Sequence, residues 1–327
     1  MTNQTITHLG IDISKHTIDI GVKIKENYSH FCINNKEAEL IDFFSKYVGK
    51  PVVIAMENTG KYNWCLQEVL QGLGLEFYVL NPLHLYKSMG LVRGKTDKID
   101  AFRIADYIER NRDLHEPYKI PQKAVSQLKV LLNERDNLVK QKAKLKAQDK
   151  DLALLKIIDL EKSLKKMHAQ QIKFLDQQIH KIENMINALI QSDNSLSNNY
   201  KLLCSIPGIG QVVAWYLLAK TENFTKIITA RKLACFAGVA PFSKQSGLFK
   251  GRDKLSKFAD KQLKKLLHLA ALSTIRLEND LAHYYHRKVA EGKNKMSVLN
   301  AVRNKIIHIA YAVIKNQKMF ENRLQVS

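Results

Sequence analysis

The chain has 327 residues, 45% of them hydrophobic, so it can fill two domain cores and is no coreless polar chain. Its 52 basic and 31 acidic residues leave a formal net charge of +21, more than solubility needs, and favour a polyanionic partner, most simply nucleic acid. Cys32, Cys65, Cys204 and Cys235 form no CxxC pair, and neither a signal peptide nor a membrane-length apolar run is present, which predicts a reducing, cytoplasmic, nucleoid-associated setting with no disulfide framework and no membrane partner.

His8–Ile13 and Thr17–Ile24 are β-rich runs joined by a short polar turn and predict a hairpin. Tyr28–Ile33 predicts a third strand, Lys36–Val48 a helix, and Val52–Met56 a strand after Pro51. Tyr62–Leu73 predicts a helix ending near Gly72 and Gly74, and Glu76–Leu80 a strand stopped by Asn81-Pro82. Asp97–Arg110 is helical again. Hairpin strands followed by alternating helices and strands imply a mixed sheet flanked by helices. With acids on the first strand, the fourth strand and a late helix, the order resembles the RuvC-like, ribonuclease-H fold.

Those acids are Asp12, Glu57, Asp97 and Asp100. Carboxylates at the ends of buried strands cost solvation energy unless something pairs with them. Converging on one point, they make a hard-oxygen site suited to Mg²⁺ or Mn²⁺. A metal pair there can clamp the attacking and leaving oxygens of a phosphodiester. Singly, each acid also reads as a cap or a surface charge, and Asp97, after Thr96, is placed to cap its helix. All four together are poorly explained that way.

Two prolines in Glu116–Pro121 mark a boundary. A long helical region runs from there to about Ile190. Leu131, Leu138, Leu145 and Leu152 recur every seven residues, but the second seam position carries Arg135, Lys142 and Asp149. Further on, Ile172, Leu175, Ile179, Ile182, Ile186 and Leu189 complete the seam. The spacing predicts a coiled coil between protomers, with an intrachain hairpin, permitted by a break around Asp159, as the alternative. The lysines of 140–150, Lys140 and Lys144 among them, either follow a phosphate backbone or form a solvated face.

A polar linker at Ser192–Asn199 precedes a mostly helical remainder. Pro207-Gly208-Ile209-Gly210 resembles the turn of a helix-hairpin-helix element, whose glycines, here Gly208 and Gly210, let backbone N–H groups approach a phosphate; a tight turn with no ligand is the alternative. The expected division is thus a RuvC-like domain at 1–120, a helical coiled-coil region at 121–198 and a C-terminal domain at 199–327. From Lys244 to Lys265 there are eight basic and two acidic residues, a net +6. Within this stretch, Ser246-Gly247 in a flexible loop reads as a phosphate contact or as a nucleophile whose target is held by Lys244, Lys250 and Arg252; no histidine neighbours Ser246 to activate it. His283 and His286 form an HxxH without a further metal-ligand partner, which reads as an exposed helical pair.

Gly-Ile-Asp-Ile-Ser-Lys, Met-Glu-Asn-Thr-Gly-Lys-Tyr, Lys-Thr-Asp-Lys-Ile-Asp-Ala, Pro-Gly-Ile-Gly and Gly-Val-Ala-Pro…Ser-Gly…Gly together resemble one family. It is the "one-ten" class of bacterial insertion-sequence transposases, related to the Piv-type DNA invertases, and the resemblance runs over nearly the whole chain. It implies that Asp12, Glu57, Asp97 and Asp100 form the acidic quartet with divalent metal, and that Ser246 is the catalytic serine. It also implies recombination of donor and target DNA through a phosphoserine link, acids and serine from different protomers of a dimer or tetramer meeting in one site, and a structured bridge RNA as guide. Lys95, Lys140, Lys144, Gly208, Gly210, Lys244, Lys250 and Arg252 are the expected nucleic-acid contacts. The chain departs from the pattern at Gln245, where many members carry a second serine, and at Phe258-Ala259-Asp260, where a glycine is usual. Two rivals remain: a RuvC-like nuclease that cuts junctions hydrolytically with the same quartet, and a nucleic-acid scaffold without chemistry. A purely binding surface would avoid carboxylates facing phosphates.

Overall fold

The computed structural model describes residues 5–88, 96–155, 160–227, 229–246, 249–255 and 258–322, with the backbone alone at 153–155, 243–246 and 249–254. The chain divides into two compact units, Met1–Ile120 and Pro121–Ser327. Among the described residues no helix is long and apolar enough to cross a membrane.

The first unit runs β1 (Thr7–Ile13), β2 (Thr17–Ile24), β3 (Asn27–Asn34), α1 (Glu37–Ser45), β4 (Val52–Glu57), α2 (Trp64–Gly72), β5 (Phe77–Leu80), α3 (Pro82–Ser88) and α4 (Asp97–Asn111). Its five strands lie in the order β3-β2-β1-β4-β5. The first three are antiparallel neighbours, and β4 and β5 continue the sheet parallel to β1. This is the expected RuvC-like, ribonuclease-H arrangement, a mixed α/β unit followed by a largely helical region. Strand alternation splits the core. Leu9, Ile11, Ile54 and Met56 face α1 and α2, packing with Leu40, Phe44, Leu66 and Leu70. Val53 and Ala55 face the other way, with Ile104 and Ile108 of α4.

The second unit begins with two long helices, α5 (Lys123–Leu155) and α6 (Leu160–Ser192). Then follow α7 (Asn194–Cys204), α8 (Gln211–Thr221), α9 (Ala230–Phe236), the hairpin β6 (Pro241–Ser246) and β7 (Phe249–Leu255), α10 (Lys261–Thr274), α11 (Asp280–Ala290) and α12 (Lys295–Asn316). Helix α8 is apolar all round and its Trp215 is fully buried, as befits the central helix of a bundle.

The heptad seam meets a return helix inside the chain, the alternative that the spacing left open beside a coiled coil between protomers. Arg135 pairs with Glu183 at 2.8 Å, Lys142 with Asp176, and Asp149 with His168 at 2.5 Å. As one partner advances along α5 the other retreats along α6, so the helices form an antiparallel hairpin. The three poor seam positions of α5 are therefore its ion-pairing positions, and they meet α6 in register. At the base of the hairpin, Val125, Leu128, Leu132, Ile186 and Ile190 merge with the core of the C-terminal helices. We expect Ile186→Ala to destabilise the second unit by about 2–4 kcal/mol, since the side chain is fully buried there. Urea unfolding measures this, and a loss below about 1 kcal/mol would return the seam to an intermolecular role.

Candidate active site

Helix α4 lies directly on the backbones of β1 and β2. Gly10 and Gly21 are cross-strand partners, and both face α4. A Cβ on Gly10 would stand 2.1 Å from the Ala101 carbonyl oxygen and 2.2 Å from the Ala105 nitrogen. Small residues on both elements allow this approach, and Ala101 and Ala105 are fully buried. The buried Lys23 ammonium fixes the helix further along, with Asp106 Oδ1 and Glu109 Oε2 each at 2.7 Å. Burial opposes the Lys23 charge, but the hydrogen bonds to the two carboxylates outweigh it and raise its pKa.

This packing sets the acids. Asp12 lies two residues past Gly10 in β1 and so shares its face. The parallel register pairs Gly10 with Ala55 and Ile11 with Met56, which puts Glu57 on that same face at the same end of β4. Asp97 is one turn before Ala101 on α4, and Asp100 belongs to the same first turn. Both carboxylates thus overhang the strand ends. Their convergence is visible in the Asp12 carboxyl, which is pushed up to about 6 by burial and then by Asp97, Asp100 and Glu57. Thr96, not Asp97, caps the helix: its hydroxyl accepts from the Ile99 N–H at 3.3 Å. Asp100 also accepts from Arg103 at 2.9 Å.

A fifth carboxylate, which the sequence reading passed over, stands beside them. Asp19 is the direct cross-strand partner of Asp12, and His30 Nε2 lies 2.7 Å from its Oδ1. The signal was an aspartate inside the otherwise apolar run Thr17–Ile24. The Cys32 thiol is pushed up by burial, Asp19 and Asp97, so Asp97 also reaches over this edge. Among the described residues no three His, Cys, Asp or Glu side chains are grouped tightly enough to hold a metal ion. The donor chemistry still fits a hard divalent cation, because a bound positive charge would offset both the burial and the neighbouring carboxylates that lift Asp12. Gly10→Ala would drive α4 off the sheet; we expect about 1–3 kcal/mol of destabilisation and loss of the raised Asp12 carboxyl, readable by carboxyl NMR titration.

In the second unit the serine stretch lies in a β-hairpin: Ser246 ends β6, and Gly247 of the expected Ser-Gly loop lies outside the described residues. Ser246 pairs with Phe249, Gln245 with Lys250 and Lys244 with Gly251, and the register shifts between Phe242 and Lys244, marking a bulge. Lysine-rich strands lack the alternating apolar pattern by which strands are read. The Ser246, Lys244, Lys250 and Arg252 backbones are thus placed on one hairpin; their side chains, like Lys95 entirely, lie outside the described residues. The Asp260 departure is accounted for locally, since Asp260 caps α10 through the Leu263 N–H and pairs with Lys220 at 2.7 Å.

The Pro-Gly-Ile-Gly turn joins α7 to α8. Gly208 has φ +85° and packs against α10, where a Cβ would meet Thr274 Oγ1 at 2.1 Å. Gly210 precedes α8, and a Cβ there would stand in open space. Lys140 and Lys144 are exposed on α5.

A family model described as "Transposase" matches residues 9–157, and one described as "Transposase IS116/IS110/IS902 family" matches residues 200–286. The chain is 26% identical to the pilin gene-inverting protein of Moraxella bovis over 97% of this chain and 98% of that one. It is 24% identical to the transposase for insertion sequence element IS1328 of Yersinia enterocolitica, over 96% and 98%. Thermus thermophilus RuvC in complex with a Holliday junction substrate aligns with 36% of this chain and all of its own length, at 11% identity and a TM-score of 0.29. With both units matched by models of one group and relatives aligned end to end, the chain belongs to the IS116/IS110/IS902 transposase family and is an enzyme of the transposase and recombinase class.

Proposed function

We propose that the chain recombines DNA through a covalent phosphoserine link at Ser246, with divalent metal at Asp12, Glu57, Asp97 and Asp100 and a structured RNA as guide. Family membership implies divalent-metal-dependent catalysis on DNA. The observation that carries the assignment of the acids is the Asp12 carboxyl, lifted to about 6 by burial and, beyond that, by the nearby charges of Asp97, Asp100 and Glu57. Such a group of like charges on a folded sheet destabilises the protein and is retained for chemistry. When bound, the cation supplies charge that offsets the phosphate oxygens. In the chemical step, Ser246 Oγ bonds to phosphorus and the bond from phosphorus to one sugar oxygen breaks. The serine proton ends on that leaving hydroxyl. Attack by a new strand's hydroxyl reverses the step and restores the serine, so no bond energy is lost.

Lys140 and Lys144 on α5, Gly210 before α8, and Lys244, Lys250 and Arg252 on the hairpin are assigned to backbone phosphates, as is Lys95 ahead of α4. Gly208 has its own reason in packing. Base pairing to a guide RNA would relieve the side chains of encoding the target. In this reading acids and serine of different protomers share one composite site, which requires at least a dimer. The rival is hydrolytic cutting of junctions with the same quartet. Incubating the protein with labelled DNA, its co-purified RNA and Mg²⁺ separates the two. A denaturant-stable protein–DNA adduct supports recombination, whereas free ends without adduct support hydrolysis.

A further inference from the structure

The turn between α10 and α11 forms an open concavity of about 530 Å³ that the chemistry above leaves unused. We propose that it holds one unpaired nucleotide of a single-stranded nucleic-acid segment. The proposal rests on the nucleic-acid reading of the chain and adds a site to it.

The corner is rigidly built. Asn279 is almost wholly buried, and its side-chain amide donates to the Thr274 carbonyl at 2.8 Å and the Leu277 carbonyl at 3.1 Å. Its Oδ1 accepts from the Leu281 and Ala282 N–H groups, each at 3.0 Å. One saturated side chain thus ends α10, starts α11 and fixes the wall between them. His283, His286 and Arg287 follow on one face of α11, and Arg276 comes from the corner itself. Arg276, His283 and His286 make no ion pair among the described residues, and Arg287 has only a 4.0 Å contact with Glu291.

Two guanidiniums and two imidazoles around one concavity suit phosphate oxygens. Leu277 lines the cavity, 49% exposed, and offers an apolar surface on which a base can lie. Glu278 supplies the one carboxylate, an acceptor for an exocyclic amino group. A volume of this size accepts a nucleotide but not a duplex, whose bases are stacked out of reach. A bare phosphate would need neither Leu277 nor Glu278.

The test uses the full chain and fluorescence anisotropy with a twelve-nucleotide unpaired RNA, the same sequence as DNA, and the corresponding DNA duplex. Arg276→Gln with Arg287→Gln should weaken single-strand binding about 10- to 100-fold and lower its salt slope by about 1.4, while duplex binding stays within about threefold. Leu277→Ser, which removes no charge, should weaken single-strand binding by about fivefold. Equal loss for RNA and DNA supports contacts to phosphate and base; loss for RNA alone supports these with an added 2′-hydroxyl contact. Unchanged single-strand binding, or an equal loss for duplex, overturns the proposal. Zinc binding abolished by His283→Ala, with oligonucleotide affinity unaltered, overturns it in favour of a metal site. A native chain that binds no oligonucleotide at all would sink the nucleic-acid reading itself, so the two failures are distinguishable.

Discussion

Asp12→Asn is expected to melt at a higher temperature than the native chain at pH 8 and to cleave no DNA. The Asp12 carboxyl has an ordinary pKa of 3.8 and is held at about 6 in the folded chain. The folded state therefore binds the proton more tightly than the unfolded chain does. For this group stability is greatest below pH 3.8, falls as pH rises from 3.8 to 6, and stays at its lower value above that. The full shift corresponds to about 3 kcal/mol, which partial exposure reduces to about 1–2 kcal/mol. Asparagine keeps the shape and removes the charge, so the variant gains that amount at pH 8 and almost none at pH 4. Mg²⁺ should raise the melting temperature of the native chain at pH 8 and leave the variant unmoved. Strand cleavage should fall by about a thousandfold or more, the loss of roughly 4 kcal/mol of transition-state stabilisation. Thermal melts across pH 4–8 with and without Mg²⁺, beside a cleavage assay, check both halves. A stability difference independent of pH, or cleavage retained in the variant, would show that Asp12 is not in the site.

Ser246→Ala should abolish the protein–DNA adduct while nucleic-acid binding persists. The serine is a poor nucleophile at neutral pH, and no histidine neighbours it in sequence. Its activation must come from groups brought to it, which in the proposed composite site are those of the acidic quartet. Lys244, Lys250 and Arg252 belong to the same hairpin and would offset charge on the five-coordinate phosphorus. Ser246→Cys should retain a trace of adduct, because sulfur can attack but leaves a different link to reverse. Denaturing electrophoresis with labelled DNA and guide RNA reads the outcome. An adduct persisting in Ser246→Ala would move the nucleophile, with Ser243 at the β6 bulge the first to replace.

Much of the first unit was legible in the chain because its signals are local. The run around Leu9 and Ile11 alternates with the period of a strand, and Val52–Met56 is a short continuous apolar run of strand length. Asn81-Pro82 and Pro51 punctuate them, and an acid at a strand end is conspicuous by its cost. Asp19 was less legible, since an aspartate within a strand declares its importance only when its cross-strand partner is known to be Asp12. The β6–β7 hairpin was missed because Lys244, Lys250 and Lys254 replace the apolar alternation by which strands are recognised.

The sequence by itself determined the element order of the first unit, the strand-end and helix-start positions of the four acids, the basic character of the chain and the heptad spacing. Each of these is a property of residues near one another along the chain. The tertiary structure decided what those residues meet. A heptad seam is equally satisfied by another protomer or by its own return helix. The pairing of Arg135, Lys142 and Asp149 with Glu183, Asp176 and His168 brings the return helix onto the seam within one chain. Likewise Gly10 and Gly21 are unremarkable in the sequence. Only when α4 rests on their backbones do Asp97 and Asp100 come near enough for their charges to act on Asp12, because the height of a helix above a sheet is set by the side chains between them.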